Sequence, residues 1–227
     1  MSKIPSSEDL WASHEQRVLG VFILALQMLR EEKNLPAKEN QINKVLALKT
    51  RDANLRLARE QRLTHLPMWE AQNQPQSEED LGSEWVKKKP DFQCQLSDET
   101  DDDPKTAYRN YCIECKRLGQ PPAAGWILNE NYVTSGIVRF VEASHSYGKG
   151  ATSGAMIGYI QSMDPNDILR EINEHIRLMA HHPIPPLSFM SVRSFKEGIA
   201  QIIQHLVRRE VSPSSFDLRH LWVDLRR

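Results

Sequence analysis

Residues 108–117, with the sequence YRNYCIECKR, decide the fold class that the chain predicts. Cysteine and isoleucine flank the charged residues here, which is typical of a strand close to the interior of a protein. Side chains alternate between the two faces of a strand, so Glu114 and Lys116 should project from the same face. The competing interpretation is a simple ion pair on a solvated strand face. The high cost of unpaired charges near an interior argues against it.

A second strand is predicted upstream, at residues 91–96, where apolar and polar residues alternate as in a half-buried strand. If the two strands pair as a hairpin, Asp91 lies beside Glu114 and Lys116 at the end of the sheet. Two carboxylates and one ammonium group then converge, although Asp91 and Glu114 are 23 residues apart in the sequence. The competing interpretation of Asp91 is an ordinary strand-start residue that follows a proline.

Further elements are predicted around these two strands. The apolar run VLGVFILALQML at residues 18–29 is too short to span a bilayer and indicates a buried core helix. We expect helices at about 7–33, 37–60, 130–142 and 164–179, strands at 155–161 and 216–225, and, from Ile and Leu spacing, a helix at 194–209. Residues 181–187 are proline-rich and predict a break. This order predicts an α/β fold with a mixed sheet.

The length of 227 residues suits one compact domain. Within it, residues 1–66 are expected to form N-terminal helices that pack on the core. Residues 67–89 are rich in Gln, Glu, Pro and Gly near their start and are expected to form a loop. Residues 90–227 are expected to form the α/β core.

Composition narrows the class of protein. The formal net charge of −1 argues against a polybasic DNA coat, although a local basic groove remains compatible with it. Three cysteines are too few for a disulfide scaffold, and the polar N-terminal residues contain no apolar signal region, so a cytoplasmic protein without a membrane partner is expected. No GxxxxGK[ST] or GxGxxG motif supports nucleotide hydrolysis.

The predicted convergence of Asp91, Glu114 and Lys116 suits one kind of chemistry. Carboxylate oxygens are the ligands that a hard divalent cation such as Mg²⁺ (or Mn²⁺) prefers, with waters completing the octahedron. Such a cation lowers the pKa of a bound water and offsets charge that develops on a phosphate. The lysine can position or deprotonate the attacking water.

These residues resemble a known family. Pro90-Asp91 followed by Glu114-Cys115-Lys116 resembles the PD-(D/E)xK nuclease superfamily, which has the restriction-endonuclease-like fold. The likeness extends over about residues 90–160, through IECKRLG, NYVTSGIVRFVEASHSY and GAMIGYI. It implies a mixed central sheet with an αβββαβ core, here preceded by N-terminal helices, together with a divalent metal and phosphodiester hydrolysis.

The resemblance also implies roles for single residues. Asp91 and Glu114 would be metal ligands, the backbone carbonyl of Cys115 a further ligand, and Lys116 the catalytic lysine. Many members of the superfamily add an acidic residue from an early helix. Glu39 and Glu60 are both candidates, and the sequence does not separate them.

Candidate nucleic-acid contacts lie near the motif. Lys88 and Lys89, in the run before Asp91, and Arg117 could form a phosphate-facing edge, with a solvated charge run as the alternative. On the helix predicted at 130–142, Arg139 is expected to contact the phosphate backbone and Tyr132 to orient a neighbour. The alternative for that pair is a buried tyrosine and an ion-paired arginine.

One further pattern, a pair of cysteines on the predicted strand, does not indicate a zinc site. Cys112-x-x-Cys115 has the spacing of a zinc ligand pair, but inside a strand the two thiols would point to opposite faces.

The resemblance therefore implies a metal-dependent endonuclease that acts on DNA, with RNA not excluded. By analogy with the family, it would serve as the nuclease subunit of a bacterial anti-phage or restriction system, as a homodimer or with a partner subunit that supplies targeting. The alternative is a catalytically inactive nuclease-fold module that binds nucleic acid or a partner protein as a scaffold.

Overall fold

The structure, a computed structural model, describes residues 6–123, 125–179, 183–188, 195–196 and 198–226. Within these residues the α-helices are Ser7–Arg30 (α1), Glu39–Arg56 (α2), Pro104–Ala107 (α3), Leu128–Thr134 (α4) and Pro165–Leu178 (α5). The strands are Met68–Trp69 (β1), Phe92–Ser97 (β2), Tyr108–Leu118 (β3), Ser153–Ile160 (β4), Phe195–Lys196 (β5), Ile199–Val207 (β6) and Ser215–Asp224 (β7). The predicted α/β class is confirmed.

One sheet joins the strands of the described residues, in the order β1-β2-β3-β4-β7-β6-β5. β1, β2 and β3 are antiparallel neighbours. β3, β4 and β7 run parallel, and β7, β6 and β5 are again antiparallel. The sheet is therefore mixed, as predicted. The parallel neighbours β3 and β4 need a crossover connection, which contains α4.

Helix α1 is determined by its cap and by its buried face. The Ser6 hydroxyl accepts a hydrogen bond from the Asp9 backbone N–H, and the Asp9 carboxylate accepts one from the Ser6 backbone N–H, which forms a capping box. Much of the apolar run at 18–29 is buried, as predicted. Phe22 packs edge-on against Phe92 of β2, with ring centroids 5.3 Å apart. This contact joins α1 to the strand that follows Asp91.

The sheet separates two apolar clusters. α1 and α2 cover one face, and α4 and α5 cover the other. Cys115 belongs to the first cluster and Cys112 to the second, so the two thiols lie on opposite faces of β3, as predicted. This geometry excludes a zinc site that would use both thiols.

The predicted hairpin of β2 and β3 is confirmed. Phe92 pairs with Ile113, and the antiparallel register continues to Ser97 opposite Tyr108. Asp91 immediately precedes β2, so continuing the register would set it opposite Glu114. The hairpin thus brings together two acids that are distant in sequence.

The single helix predicted at 130–142 is wrong. The chain forms α4 and then a separate 3₁₀ helix, Ile137–Phe140. Between them, a Cβ atom on Gly136 would lie 2.3 Å from the Tyr132 carbonyl oxygen and 2.5 Å from Met156 Cε, so glycine allows an approach that a larger residue would block. The 3₁₀ helix carries Arg139, whose guanidinium reaches Glu114 of β3.

The helix predicted at 194–209 is also wrong, because β6 occupies most of this range. Its residues pair with β7 from Ile199 opposite Val223 to Val207 opposite Ser215. Burial alternates along β6 with a period of two after Ala200. Isoleucine and valine fit a strand that is buried on one face, so sheet pairing outweighs the helical spacing. The predicted strand at 216–225 is confirmed as β7.

One other predicted segment differs in detail. Residues 67–89, expected to form a loop, contain β1 and the 3₁₀ helices Glu78–Asp80 and Glu84–Lys87. In the predicted break, His181 and His182 lie outside the described residues. No helix in the described part of the chain combines the length and apolar character that crossing a membrane requires.

His220 of β7 is a buried core histidine, completely shielded from solvent. Trp222 Nε1 donates to the Tyr132 hydroxyl oxygen at 3.0 Å, and Tyr132 Oη lies 2.7 Å from His220 Nδ1. His220 Nε2 lies 3.2 Å from Gln204 Oε1. All of these hydrogen bonds form when His220 Nδ1 accepts from the Tyr132 hydroxyl and His220 Nε2 carries the proton and donates to Gln204. This arrangement requires a neutral imidazole ring. Burial lowers the pKa of His220 to about 3.

We predict that His220 contributes a pH dependence to stability. Between about pH 6.5, the ordinary histidine pKa, and pH 3, the unfolded chain binds a proton that the folded chain excludes. Stability should therefore fall as pH falls below about 6.5, by up to about 1.4 kcal/mol per pH unit from this group. Urea unfolding of wild type and His220→Gln at several pH values measures this, because the variant should lose that part of the slope.

The matched control is His65→Gln, which removes an exposed imidazole. Equal pH slopes for wild type and His220→Gln would contradict the prediction.

Candidate functional site

Lys116 of β3 lies at the centre of the candidate site. Its ammonium nitrogen Nζ donates to Glu114 Oε1 at 2.6 Å, to the Cys115 carbonyl oxygen at 3.0 Å and to Glu39 Oε1 at 3.1 Å. These contacts can use all three N–H groups of the ammonium. The side chain is buried, so its charge is stable there only because it is paired.

Glu114 is the most enclosed carboxylate of the site. Its Oε1 accepts from Lys116 Nζ and also from an Arg139 guanidinium N–H, each at 2.6 Å. Its Oε2 is buried and has no hydrogen-bond partner among the described residues. One oxygen of Glu114 is therefore doubly paired, while the other makes no hydrogen bond within the described part of the chain.

Asp91 is held by α2 and by β3. Its Oδ2 accepts from the Cys115 backbone N–H at 2.7 Å, and its Oδ1 accepts from the Asn43 side-chain amide at 2.9 Å. The first bond places Asp91 next to the backbone between Glu114 and Lys116. The predicted convergence of Asp91, Glu114 and Lys116 is thus present in the structure.

Sequence reasoning missed Asn43. This residue of α2 is buried, and its amide oxygen accepts from the Tyr159 hydroxyl at 2.8 Å while its amide nitrogen donates to Asp91. Asn43, Leu46 and Thr50 recur at helical spacing and are all buried. A polar residue on that buried helix face was the signal that could have identified Asn43.

The structure separates the two candidate acids that the sequence left open. Glu39 is the first residue of α2, and its Oε2 accepts from the Arg117 backbone N–H at 3.1 Å while its Oε1 contacts Lys116. Glu60 lies in the 3₁₀ helix Arg59–Gln61 and lines a different groove. Glu39 is therefore the acid from an early helix that joins the site.

Burial dominates the protonation of the acids. It raises the pKa of Asp91 well above its usual value, and repulsion from Glu114 adds to this effect. Burial also raises the pKa of Glu114, although Lys116 and Arg139 oppose the shift. Burial alone would lower the pKa of Lys116, but attraction to Glu114 and Glu39 outweighs it and raises the pKa. Lys116 is therefore an ammonium at neutral pH.

The charged residues assigned to nucleic-acid binding lie in different surroundings. Lys89 is exposed and Lys88 is partly buried, both just before Asp91. Arg117 donates to the Ala37 carbonyl oxygen at 3.3 Å, at the end of β3 nearest α2. Arg139 is paired with Glu114, so a phosphate contact by Arg139 would compete with that ion pair or share it.

The assignment of Tyr132 to nucleic-acid binding is wrong. Its side chain is completely buried on the α4 face of the sheet and contacts His220 and Trp222. A side chain without exposed surface cannot contact a phosphate backbone. Tyr132 lies on the buried face of α4 together with Leu128, Asn129 and Val133, and the buried-tyrosine alternative is the correct one.

The potential metal ligands of the site fit a hard divalent cation in part. The carboxylate oxygens of Asp91 and Glu114 and the Cys115 carbonyl oxygen are hard ligands. Of these atoms, Glu114 Oε2 has no hydrogen-bond partner among the described residues. No group of three His, Cys, Asp or Glu side chains that could hold a metal ion occurs within the described ranges. Waters would have to complete the coordination shell, as is common for Mg²⁺.

A cleft of about 280 Å³ opens beside Lys116. It is lined by Glu39, Lys116, Arg117, Trp126, Leu128, Asn131, Ser135 and Arg139. Three of these side chains are cationic, and they come from β3 and from the 3₁₀ helix after α4. The cleft gives the charged cluster an opening to solvent.

Comparisons with known proteins provide no assignment. The chain matches no model of a protein family, and it has no significant match among curated proteins or solved structures. The candidate function therefore rests on the sequence motif and on the geometry of the site.

We predict that Asn43→Ala destabilises the protein by about 1–3 kcal/mol, because it leaves buried polar groups of Asp91 and Tyr159 without their partner. Urea unfolding measures the loss. The matched control is Asn40→Ala, an exposed asparagine on the same helix, which should change stability by less than about 0.5 kcal/mol. If both variants unfold at the same urea concentration, Asn43 does not support the site.

Proposed function

We propose that the chain is a metal-dependent endonuclease that hydrolyses phosphodiester bonds of DNA, with a site of the PD-(D/E)xK kind. The observation that carries the proposal is the meeting of Asp91, Glu114 and Lys116 around the Cys115 backbone. Glu114 and Lys116 come from β3, and Asp91 immediately precedes β2, the hairpin partner of β3. Glu39 joins them from the start of α2.

The order of the elements supports the family assignment. Along the chain, α2 is followed by β1, β2 and β3, then by α4 and β4. This is the order expected of an αβββαβ core when the single turn of α3 is counted with the connection between β2 and β3. The parallel pairing of β3 with β4 is also the pairing that a crossover through α4 would produce.

Asp91, Glu114 and the Cys115 carbonyl would hold the metal ion. When bound, Mg²⁺ or Mn²⁺ supplies a water of lowered pKa and positive charge next to the phosphate. Hydrolysis would join the oxygen of a water molecule to phosphorus and break the bond from phosphorus to the leaving oxygen, which would take up a proton.

The charged side chains of this chain have separate tasks in the proposed reaction. Lys116, paired as an ammonium with the carboxylates of the site, can position the attacking water and stabilise negative charge on the phosphate. Arg139 and Arg117 line the same cleft and can bind a phosphate next to the cleaved bond. Lys88 and Lys89 extend the cationic surface upstream of Asp91.

The biological setting is part of the proposal. A nuclease that cut DNA without control would damage its own cell, which favours a restriction or anti-phage system in which a partner subunit or a second copy of the chain supplies targeting.

A second candidate is a catalytically inactive module that binds nucleic acid or a partner protein. The specific observation in its favour is that Lys116 and Arg139 already neutralise Glu114, while the described residues contain no group of three metal-ligating side chains. In that case the same residues would be a structural ion-pair cluster.

We predict that Glu114→Gln and Lys116→Ala each lower the rate of DNA cleavage in Mg²⁺ or Mn²⁺ at least ~10³-fold, equivalent to about 4 kcal/mol of barrier. Glu114→Gln keeps the side-chain shape, and circular dichroism verifies that both variants are folded. Cleavage of plasmid and linear DNA by the purified full chain measures the rate.

The controls are Glu99→Gln and Lys105→Ala, which make the same kinds of change in the exposed acidic segment before β3. They should cut at the wild-type rate. Binding of nucleic acid without cleavage of any DNA or RNA, with either metal and with candidate partner subunits present, would replace the nuclease with the inactive module.

A further inference from the structure

The connection between β3 and α4 exposes a tryptophan at the edge of the candidate site. Trp126 is 56% exposed, whereas Trp11, Trp85 and Trp222 are buried. Its indole belongs to neither apolar cluster of the sheet. Core packing therefore does not account for a large aromatic residue at this position.

Trp126 lines the same cleft as Lys116, Arg117 and Arg139. An aromatic side chain and three cations thus border one cavity that begins at the catalytic lysine of the proposed nuclease. Stacking on aromatic side chains and pairing of phosphates with cations are the two interactions by which proteins bind unpaired nucleotides. Asn131 and Ser135 of the α4 segment add hydrogen-bonding side chains to the cavity wall.

We propose that this cleft binds one unpaired nucleotide, whose base stacks on Trp126 while its phosphate contacts Arg117 and Arg139. The inference rests on the proposed nuclease function and narrows its substrate. The preferred substrate is a single strand, or a duplex with an unpaired nucleotide next to the cleaved bond.

The chemistry of the cleft favours an unpaired base over a paired one. A base inside a continuous duplex is stacked on both faces by its neighbours, so its face is not open to an indole unless the nucleotide leaves the stack. The cavity, at about 280 Å³, is near the lower limit of ligand pockets and suits one nucleotide rather than a longer segment. Lys116 lies in the wall, so the bound phosphate is close to the proposed site of hydrolysis.

The test measures binding without cleavage, in the full-length chain with Glu114→Gln as the background. Three labelled DNA probes share one sequence: a single strand, a perfect duplex and a duplex with a one-nucleotide bulge. Fluorescence anisotropy at one fixed salt concentration gives the dissociation constant of each probe. Fixed salt is needed because phosphate contacts depend strongly on ionic strength.

Adding Trp126→Ala should weaken binding of the single strand and of the bulged duplex at least about fivefold, the smallest effect expected for loss of one stacked base. It should leave the perfect duplex within about twofold. Trp126→Phe retains a stacking surface and should recover most of the lost affinity. Tyr108→Ala is the matched control, since Tyr108 is a 50% exposed aromatic residue at the opposite end of β3.

The outcomes separate this inference from the proposed function. If Trp126→Ala has no effect, or weakens all three probes equally, the stacking site is wrong while the nuclease proposal stands. If the chain with Glu114 intact neither cuts nor binds any DNA or RNA probe, the proposed function itself is wrong, and the inference falls with it. If Trp126→Ala selectively loses affinity for the single strand and the bulged duplex, and Trp126→Phe restores it, the result supports both the stacking site and the proposed function.

Discussion

The site depends on one electrostatic constraint: a buried carboxylate on a central strand requires cations close to it. Glu114 satisfies this requirement through Lys116 on its own strand and Arg139 from the 3₁₀ helix. Removing either cation would leave Glu114 with a single cationic partner in a poorly solvated place, where a buried charge that loses a partner is destabilising. The same burial that makes the carboxylate costly raises its pKa and makes it a strong acceptor for any positive group that enters.

Three parts of the fold converge to meet that constraint. The register of β2 and β3 brings Asp91 to the Cys115 backbone. The start of α2 brings Glu39 and Asn43, one as a charged partner of Lys116 and one as a neutral support for Asp91. The crossover between β3 and β4 is interrupted at Gly136, which allows a separate 3₁₀ helix that carries Arg139 to Glu114. A continuous helix over these residues would orient the Arg139 side chain differently.

Sequence analysis correctly predicted the features that depend on local periodicity. Its predictions were wrong or incomplete where tertiary contacts determine the structure. Alternation along a strand suffices to place Glu114 and Lys116 on one face, and hairpin pairing suffices to add Asp91. Asn43 and the choice of Glu39 over Glu60 depend on how α2 docks on the sheet, which no spacing within the chain specifies. The helix predicted at 194–209 failed because isoleucine and leucine fit both periods in a short segment, and pairing with β7 selects the strand.

The ion pairs of the site bear directly on the proposed metal-dependent catalysis. When ionised, three carboxylates face two cations, so the cluster of Asp91, Glu114, Glu39, Lys116 and Arg139 carries one excess negative charge. A divalent ion added to this cluster would turn the excess into one positive charge, which a phosphate diester would then neutralise. Metal and substrate should therefore stabilise each other's binding, while the ion pairs keep the cluster folded without them. The buried Glu114 Oε2 has no hydrogen-bond partner within the described residues, so under the proposed function it is the carboxylate oxygen that could contact the cation without breaking an existing ion pair.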